Sequence, residues 1–187
     1  VSEAREVSVP VKINVSEIKR SHGLSQRLRL EDWGSVAELE LTAPLVVDLK
    51  LTNVGSRILV EGNLQTRVRV ACSRCAGDCD EWLDVRVDEQ FLPQDSPELP
   101  RGEDLDFEQL SLFTYENDVI EIDEVIRQNL VASLPCRPLC AEACKGLCAR
   151  CGANLNEKAC ECEAEPRLDP RWGPLAELQD RAQSGTV

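Results

Sequence analysis

Leu64-Gln-Thr-Arg-Val-Arg-Val-Ala71 and Trp82-Leu-Asp-Val-Arg-Val-Asp-Glu-Gln-Phe91, on either side of Ala71-Cys-Ser-Arg-Cys-Ala-Gly-Asp-Cys-Asp80, decide the fold. Both arms alternate apolar and polar residues with the period of two that a half-buried strand requires. The short segment between them closes a β-hairpin and puts Cys72 and Cys75 at its tip. Two thiolates on one tight turn suit a zinc knuckle.

The same period continues upstream. Val36-Ala-Glu-Leu-Glu-Leu41 and Val47-Asp-Leu-Lys-Leu-Thr52 alternate, Arg57 to Glu61 extends the pattern, and Asn53, Gly55, Gly62 and Asn63 read as turns. From Glu6 to Phe91 this predicts an antiparallel sheet or small barrel of about five or six strands. Downstream the composition changes: between Pro93 and Asp118 stand eight acidic residues against the single Arg101, which reads as a linker or mobile loop. Val119-Ile-Glu-Ile122 reads as a short strand. A helix follows from about Asp123 to Leu134, stopped by Pro135. Its Ile126, Leu130 and Leu134 recur every four residues, beside Ile122 and Val125, and form the face that docks on the sheet. The fold class is therefore α+β, with residues 1–134 as a β-rich domain and 135–187 as a cysteine-rich segment ending in a short helix near Leu175 to Ala182.

The core that 187 residues with 42% hydrophobic but only 4% aromatic content can build is aliphatic, one ordinary domain with a small appendage. No run of eighteen apolar residues occurs and the N-terminal stretch alternates, so the expectation is a soluble, cytoplasmic protein without a secretory signal. The net charge of −13 argues against general coating of nucleic acid. It fits solubility or a basic protein partner.

Ten cysteines divide the possibilities by redox compartment: dispersed pairs build disulfide frameworks, tight clusters bind metal. Cys72-x2-Cys75, Cys148-x2-Cys151 and Cys160-x-Cys162 are tight clusters. In Cys148-Ala-Arg-Cys151-Gly152 one turn supplies two ligands, and the glycine relieves crowding where amides point at sulfur. With Cys160 and Cys162 it makes one four-thiolate zinc set. A second set combines Cys72 and Cys75 with Cys140 and Cys144. The rival partition moves Cys140 or Cys144 into the C-terminal site and frees the hairpin pair. Two such sites take the net charge to roughly −17. Cys136 is expected to be a buried small hydrophobe and Cys79 a loop thiol near the first metal. Cys144-x3-Cys148-x2-Cys151 also has the spacing of a radical-type iron–sulfur cluster, but no alternating strand and helix series builds the barrel for that chemistry. An ordinary iron–sulfur cluster is the lesser alternative to zinc.

Leu134-Pro135, Pro138-Leu-Cys140, Cys144-Lys-Gly-Leu-Cys-Ala-Arg-Cys-Gly-Ala-Asn-Leu-Asn156 and Cys160-Glu-Cys162 together resemble the YceD family of large ribosomal RNA subunit accumulation proteins. Cys72-Ser-Arg-Cys75, the helix from Glu121 to Leu134 and Asp169-Pro-Arg-Trp-Gly-Pro-Leu175 fit the same pattern; Cys136 departs from it. The resemblance is specific over Ala71 to Cys75 and Leu134 to Cys162. It implies a bacterial or organellar protein needed for 23S ribosomal RNA to accumulate, often encoded beside a small zinc-ribbon protein of the large subunit. Some members lack the full C-terminal cysteine set, which makes metal there a structural support.

Nothing in the chain assembles a nucleophile and base: His22, the one histidine, sits in a Ser-His-Gly turn, and no glycine-rich phosphate loop follows a strand. The expectation is a non-enzymatic zinc-binding accessory factor with about two zinc ions. Arg74, Arg137, Lys145 and Arg150 lie in or beside the cysteine loops and are the candidates for touching ribosomal RNA or a partner. The competing reading is an acidic, zinc-stabilised holder of a basic ribosomal protein.

Overall fold

The computed structural model describes residues 11–99 and 112–162, so the expected helix near Leu175 lies outside the described residues. The chain divides into two compact units, Val1–Cys144 and Lys145–Val187. In the first, the strands are β1 (Lys12–Asn14), β2 (Ser25–Leu30), β3 (Glu40–Leu41), β4 (Val46–Asn53), β5 (Ile58–Ala71), β6 (Asp78–Pro93), β7 (Phe113–Tyr115) and β8 (Val119–Glu121), followed by helix α1 (Asp123–Ala132). A six-stranded sheet runs in the order β2-β4-β5-β6-β7, with β3 beside the far half of β5, and β1 pairs separately with β8.

The long hairpin β5–β6 is the spine of this unit. It pairs in one continuous antiparallel register from Ile58↔Phe91 to Ala71↔Asp78. Its alternation does what the sequence demands: Val60, Leu64, Val68, Val85 and Val87 turn inward with Val47, Leu49 and Leu51 of β4. Each such side chain contributes about 1.5–3 kcal/mol relative to exposure. Ile122, just ahead of α1, and Val125, Ile126 and Leu130 within it are fully buried in the same core, and Leu134 packs partly against it. Asn129 anchors the helix to β6 by donating to Glu89 Oε1 at 3.0 Å.

Three expectations change. Gly62 and Asn63 do not turn the chain; they lie within β5. Gly62 is needed because a Cβ there would stand 2.0 Å from the Asp48 carbonyl oxygen of β4. Gly62→Ala is therefore expected to lower stability by about 3 kcal/mol, since backbone rather than a flexible side chain must move. A lower urea midpoint with unchanged slope is the result that checks it. The strand expected from Val36 shrinks to Glu40–Leu41, because Glu38 takes a left-handed φ of 71° that breaks the extended run. Finally, the sheet is mixed: β7 pairs with β6 in parallel, Phe91↔Phe113 to Pro93↔Tyr115. A parallel partner needs a long crossover, and the acidic stretch read as a plain loop supplies it. Phe91 and Phe113 stack there with ring centroids 5.3 Å apart. Among the described residues no helix is long and apolar enough to cross a membrane.

Candidate metal centres

The tip of the β5–β6 hairpin folds into a tight knuckle. The Cys72 amide donates to the Gly77 carbonyl at 2.8 Å, the Ala76 amide to the Cys72 carbonyl at 2.9 Å, and the Arg74 amide to Cys72 Sγ at 3.5 Å. Ala76 takes the left-handed φ of 54° that closes such a turn. Against this knuckle lies the segment that follows α1, held by the Ser73 amide on the Pro138 carbonyl at 2.8 Å. Arg74 completes the junction, its Nη1 donating to the carbonyls of Glu142 at 3.0 Å and Cys144 at 2.9 Å.

The result is a sulfur quartet. Cys72, Cys75, Cys140 and Cys144 place their Sγ atoms within 4.8 Å of one another. Cys72 and Cys144 are 3.8 Å apart and Cys75 and Cys140 3.7 Å. A tetrahedral ion with metal–sulfur bonds near 2.3 Å holds its ligands about 3.8 Å apart, so the spacing fits one ion. Cys72, Cys75 and Cys144 are buried, while Cys140 is exposed.

The second unit repeats the device. The Cys148 amide donates to the Ala153 carbonyl at 2.8 Å, the Gly152 amide to the Cys148 carbonyl at 2.9 Å, and the Arg150 amide to Cys148 Sγ at 3.4 Å. Gly152, at φ 71°, stands where Ala76 stands in the first knuckle. Cys148, Cys151, Cys160 and Cys162 form a quartet with the same 4.8 Å limit. Asn154 and Asn156 tie the intervening loop: Asn156 Oδ1 accepts the Lys145 amide at 2.8 Å, and Asn154 Oδ1 the Asn156 amide at 3.1 Å.

The thiols of each quartet are pushed in opposite directions. Amides of Cys140, Cys75 and Arg74 hold the Cys72 thiol down to about 6. Those of Cys151 and Arg150, with the Cys160 and Cys151 thiols, hold Cys148 down to about 6 as well. Their neighbours move the opposite way. Hydrogen bonding to Cys144, Cys75 and Cys72 pushes Cys140 up to about 12, and hydrogen bonding to Cys151, followed by burial, pushes Cys162 up to about 12. Four thiolates cannot share so small a volume unless a positive ion compensates them, and these two clusters could hold metal ions.

The two quartets are the two sets read from the sequence, and the rival partition is not the one the geometry shows. The cysteines of the radical-type spacing are split, Cys144 in one quartet and Cys148 and Cys151 in the other. Cys136 corrects the expectation, being exposed and in neither quartet, because the chain leaving α1 runs over the surface before it reaches Cys140. Cys79 lies in β6 rather than in the loop, half-buried against Cys72, Cys75 and Cys144. Burial pushes its thiol up, and its Sγ meets the Val70 carbonyl at 3.5 Å. Arg74 and Arg137 are exposed in the first unit, Lys145 and Arg150 in the second. The anchoring role of Arg74 was not legible, although Arg at the same place in both Cys-x-Arg-Cys turns was a signal. Arg74→Ala is expected to loosen the 140–144 loop by about 1 kcal/mol, below the usual worth of a charged hydrogen bond because the exposed site is screened by solvent. Hydrogen exchange at the Cys144 amide, which donates to the Ala141 carbonyl, should then speed up roughly fivefold.

The sequence has relatives among known proteins. A family model described as large ribosomal RNA subunit accumulation protein YceD matches residues 60–179. The chloroplastic YceD homolog 1 of Arabidopsis thaliana, named as such an accumulation protein, is 26% identical over 163 residues, covering 75% of this chain and 50% of that protein. An uncharacterized protein of Mycobacterium leprae is 26% identical over 146 residues, covering 75% of this chain and 61% of that one. The Zea mays chloroplastic homolog 1 is 24% identical over 154 residues, with 71% and 52% covered. The chain thus spans about half to three fifths of the length of these relatives. No solved structure is a significant match. The family match runs from the spine hairpin past the second quartet, and on that extent the chain belongs to the YceD family of large ribosomal RNA subunit accumulation proteins.

Proposed function

We propose that this chain is a non-enzymatic binding factor that supports 23S ribosomal RNA accumulation during large-subunit assembly, its two cysteine quartets each holding one structural zinc ion. The observation that carries the metal reading is the sulfur spacing: 3.7 and 3.8 Å for two pairs of the first quartet, the edge length of a single-ion tetrahedron, and four sulfurs within 4.8 Å of one another in each quartet. A cluster of several irons holds its cysteine sulfurs farther apart, which favours zinc over iron–sulfur chemistry. Four protein ligands close the coordination sphere and leave no position for water, so zinc bound this way cross-links chain and supplies no catalysis. Family membership supports the assembly setting, and the names of the plant relatives carry the same words. In a bacterial host the setting is the cytoplasm; the plant relatives are named as chloroplastic.

Arg137, Lys145 and Arg150 are exposed beside the quartets and are the side chains we assign to contact with the ribosomal precursor. Arg74 is set apart because its guanidinium holds the loop of the first quartet. The test is depletion of the protein followed by measurement of 23S ribosomal RNA. A fall that the wild-type chain restores, and that a chain with Arg137→Glu, Lys145→Glu and Arg150→Glu does not, is the expected outcome. Unchanged 23S levels on depletion contradict the assembly role; full rescue by the charge-reversed chain contradicts the contact assignment.

A further inference from the structure

The spine hairpin leaves one side open. β6 pairs with β5 along Asp78–Phe91, but on its other side a strand meets only Phe91–Pro93. Among the described residues no strand lies along the outer edge of Asp78–Gln90. An edge strand turns every second N–H and C=O away from its ladder, which makes it a template for an added strand. Proteins blunt such edges with proline, a bulge, short length, a covering element or charged side chains, lysine above all; a row of one charge sign then turns away every guest but an oppositely charged one. The segment 78–90 has no proline, glycine or lysine, and it runs in unbroken register with β5.

What the edge carries is charge largely of one sign. Within the strand Asp78, Asp80, Glu81, Asp84, Asp88 and Glu89 stand against Arg86 alone. Asp80 also pairs with Arg69 of β5 at 3.5 Å, Asp84 accepts from Gln65 at 3.2 Å and Glu89 accepts from Asn129 of α1, so the surplus charge centres on Asp84 and Asp88. Another copy of the same edge meets like charge, and so does the phosphate backbone of RNA. The chain's own candidates are poorly matched: residues 1–10 hold two acidic side chains against one Arg, residues 100–111 four against one, and residues 163–187 five against three. Beside the acidic row lies apolar surface, because Trp82 faces outward at 55% exposure with the Arg67 guanidinium 6.0 Å from its ring centroid.

We propose that the β6 edge, Asp78–Gln90, accepts an extended lysine- or arginine-rich segment of a protein partner as an added strand. The open backbone supplies the ladder, the carboxylates select a basic occupant, and Trp82 offers a surface for its side chains. This deepens the assembly reading by naming the class of partner, and takes only its biological setting from it. Backbone pairing requires extended structure and alternate free amides in the guest, whereas attraction by charge alone requires neither.

The probe is a fluorescein-labelled twelve-residue peptide of alternating Lys and Val, titrated by anisotropy against the full metal-loaded chain, with a Glu–Val peptide and a twelve-nucleotide single-stranded RNA as comparisons. Expected are binding of the Lys–Val peptide alone and a tenfold or larger loss with Asp84→Lys/Asp88→Lys. N-methylation of alternate peptide amides should weaken binding tenfold in one register and little in the other, a readout on the wild-type chain that needs no protein variant. The proposal is overturned if the Lys–Val peptide does not bind, if neither N-methylated register loses affinity, or if RNA displaces the peptide and binds more tightly. Its failure leaves the assembly reading standing if depletion still lowers 23S ribosomal RNA. Unchanged 23S with a bound peptide does the reverse.

Discussion

Cys151→Ser is expected to abolish ordered structure in residues 145–162 while the β-sheet unit keeps its fold. The reason is the distribution of burial. The first unit has a continuous aliphatic core, but no hydrophobic side chain between Lys145 and Cys162 is buried, and Leu147 is 43% exposed. What remains there is a knuckle of backbone hydrogen bonds, the Asn154–Asn156 ties and a sulfur quartet. Structural zinc contributes on the order of 10 kcal/mol in small sites, more than those exposed hydrogen bonds can replace. Hydrogen exchange with mass-spectrometric readout checks it. The amides of Cys148, Gly152 and Leu155, which donate to Ala153, Cys148 and Gly146, should exchange at the unprotected rate, while β4 and β5 remain protected. Protection retained across 145–162 contradicts the account, and so does loss of protection in the sheet.

Cys72→Ser has a different expected signature. The first quartet joins a hairpin tip to a loop far along the chain, so its loss frees the loop without removing the sheet's own core. Residues 136–144 should lose protection, with the Ser73–Pro138 and Cys144–Ala141 hydrogen bonds opening, while the Val60–Leu64–Val68 side of β5 holds. The metal content should fall by one equivalent, and the second quartet, with four cysteines of its own, should keep its ion. An unchanged metal content, or collapse of the whole chain, tells against two independent sites.

Much of this fold is legible in the sequence. The hairpin was legible because its alternation is strict: Val68, Leu83, Val85 and Val87 face inward with polar residues between them, and a one-residue slip reverses every one. The helix was legible because Ile122, Ile126 and Leu130 repeat at its period ahead of Pro135, although it ends at Ala132, short of the expected Leu134. The cysteine pairs were legible because two ligands on one turn must be close in sequence. Gly62 was misread because a glycine forced by close approach of a neighbouring strand looks, in one dimension, like a glycine that turns. The parallel β7 strand was missed for another reason: Phe113-Thr-Tyr115 is too short to show a period, and its partner lies across a long crossover. Cys136 misled through composition, since a free cysteine is more often buried than not.

The central claim, two closed four-thiolate zinc sites, is tested most directly by metal analysis of the purified 187-residue chain alongside its absorption spectrum. The account predicts two zinc ions per chain, no absorption band near 400 nm, and one ion after either Cys72→Ser or Cys151→Ser. A brown preparation containing iron, or a wild-type chain with one zinc or none, contradicts it.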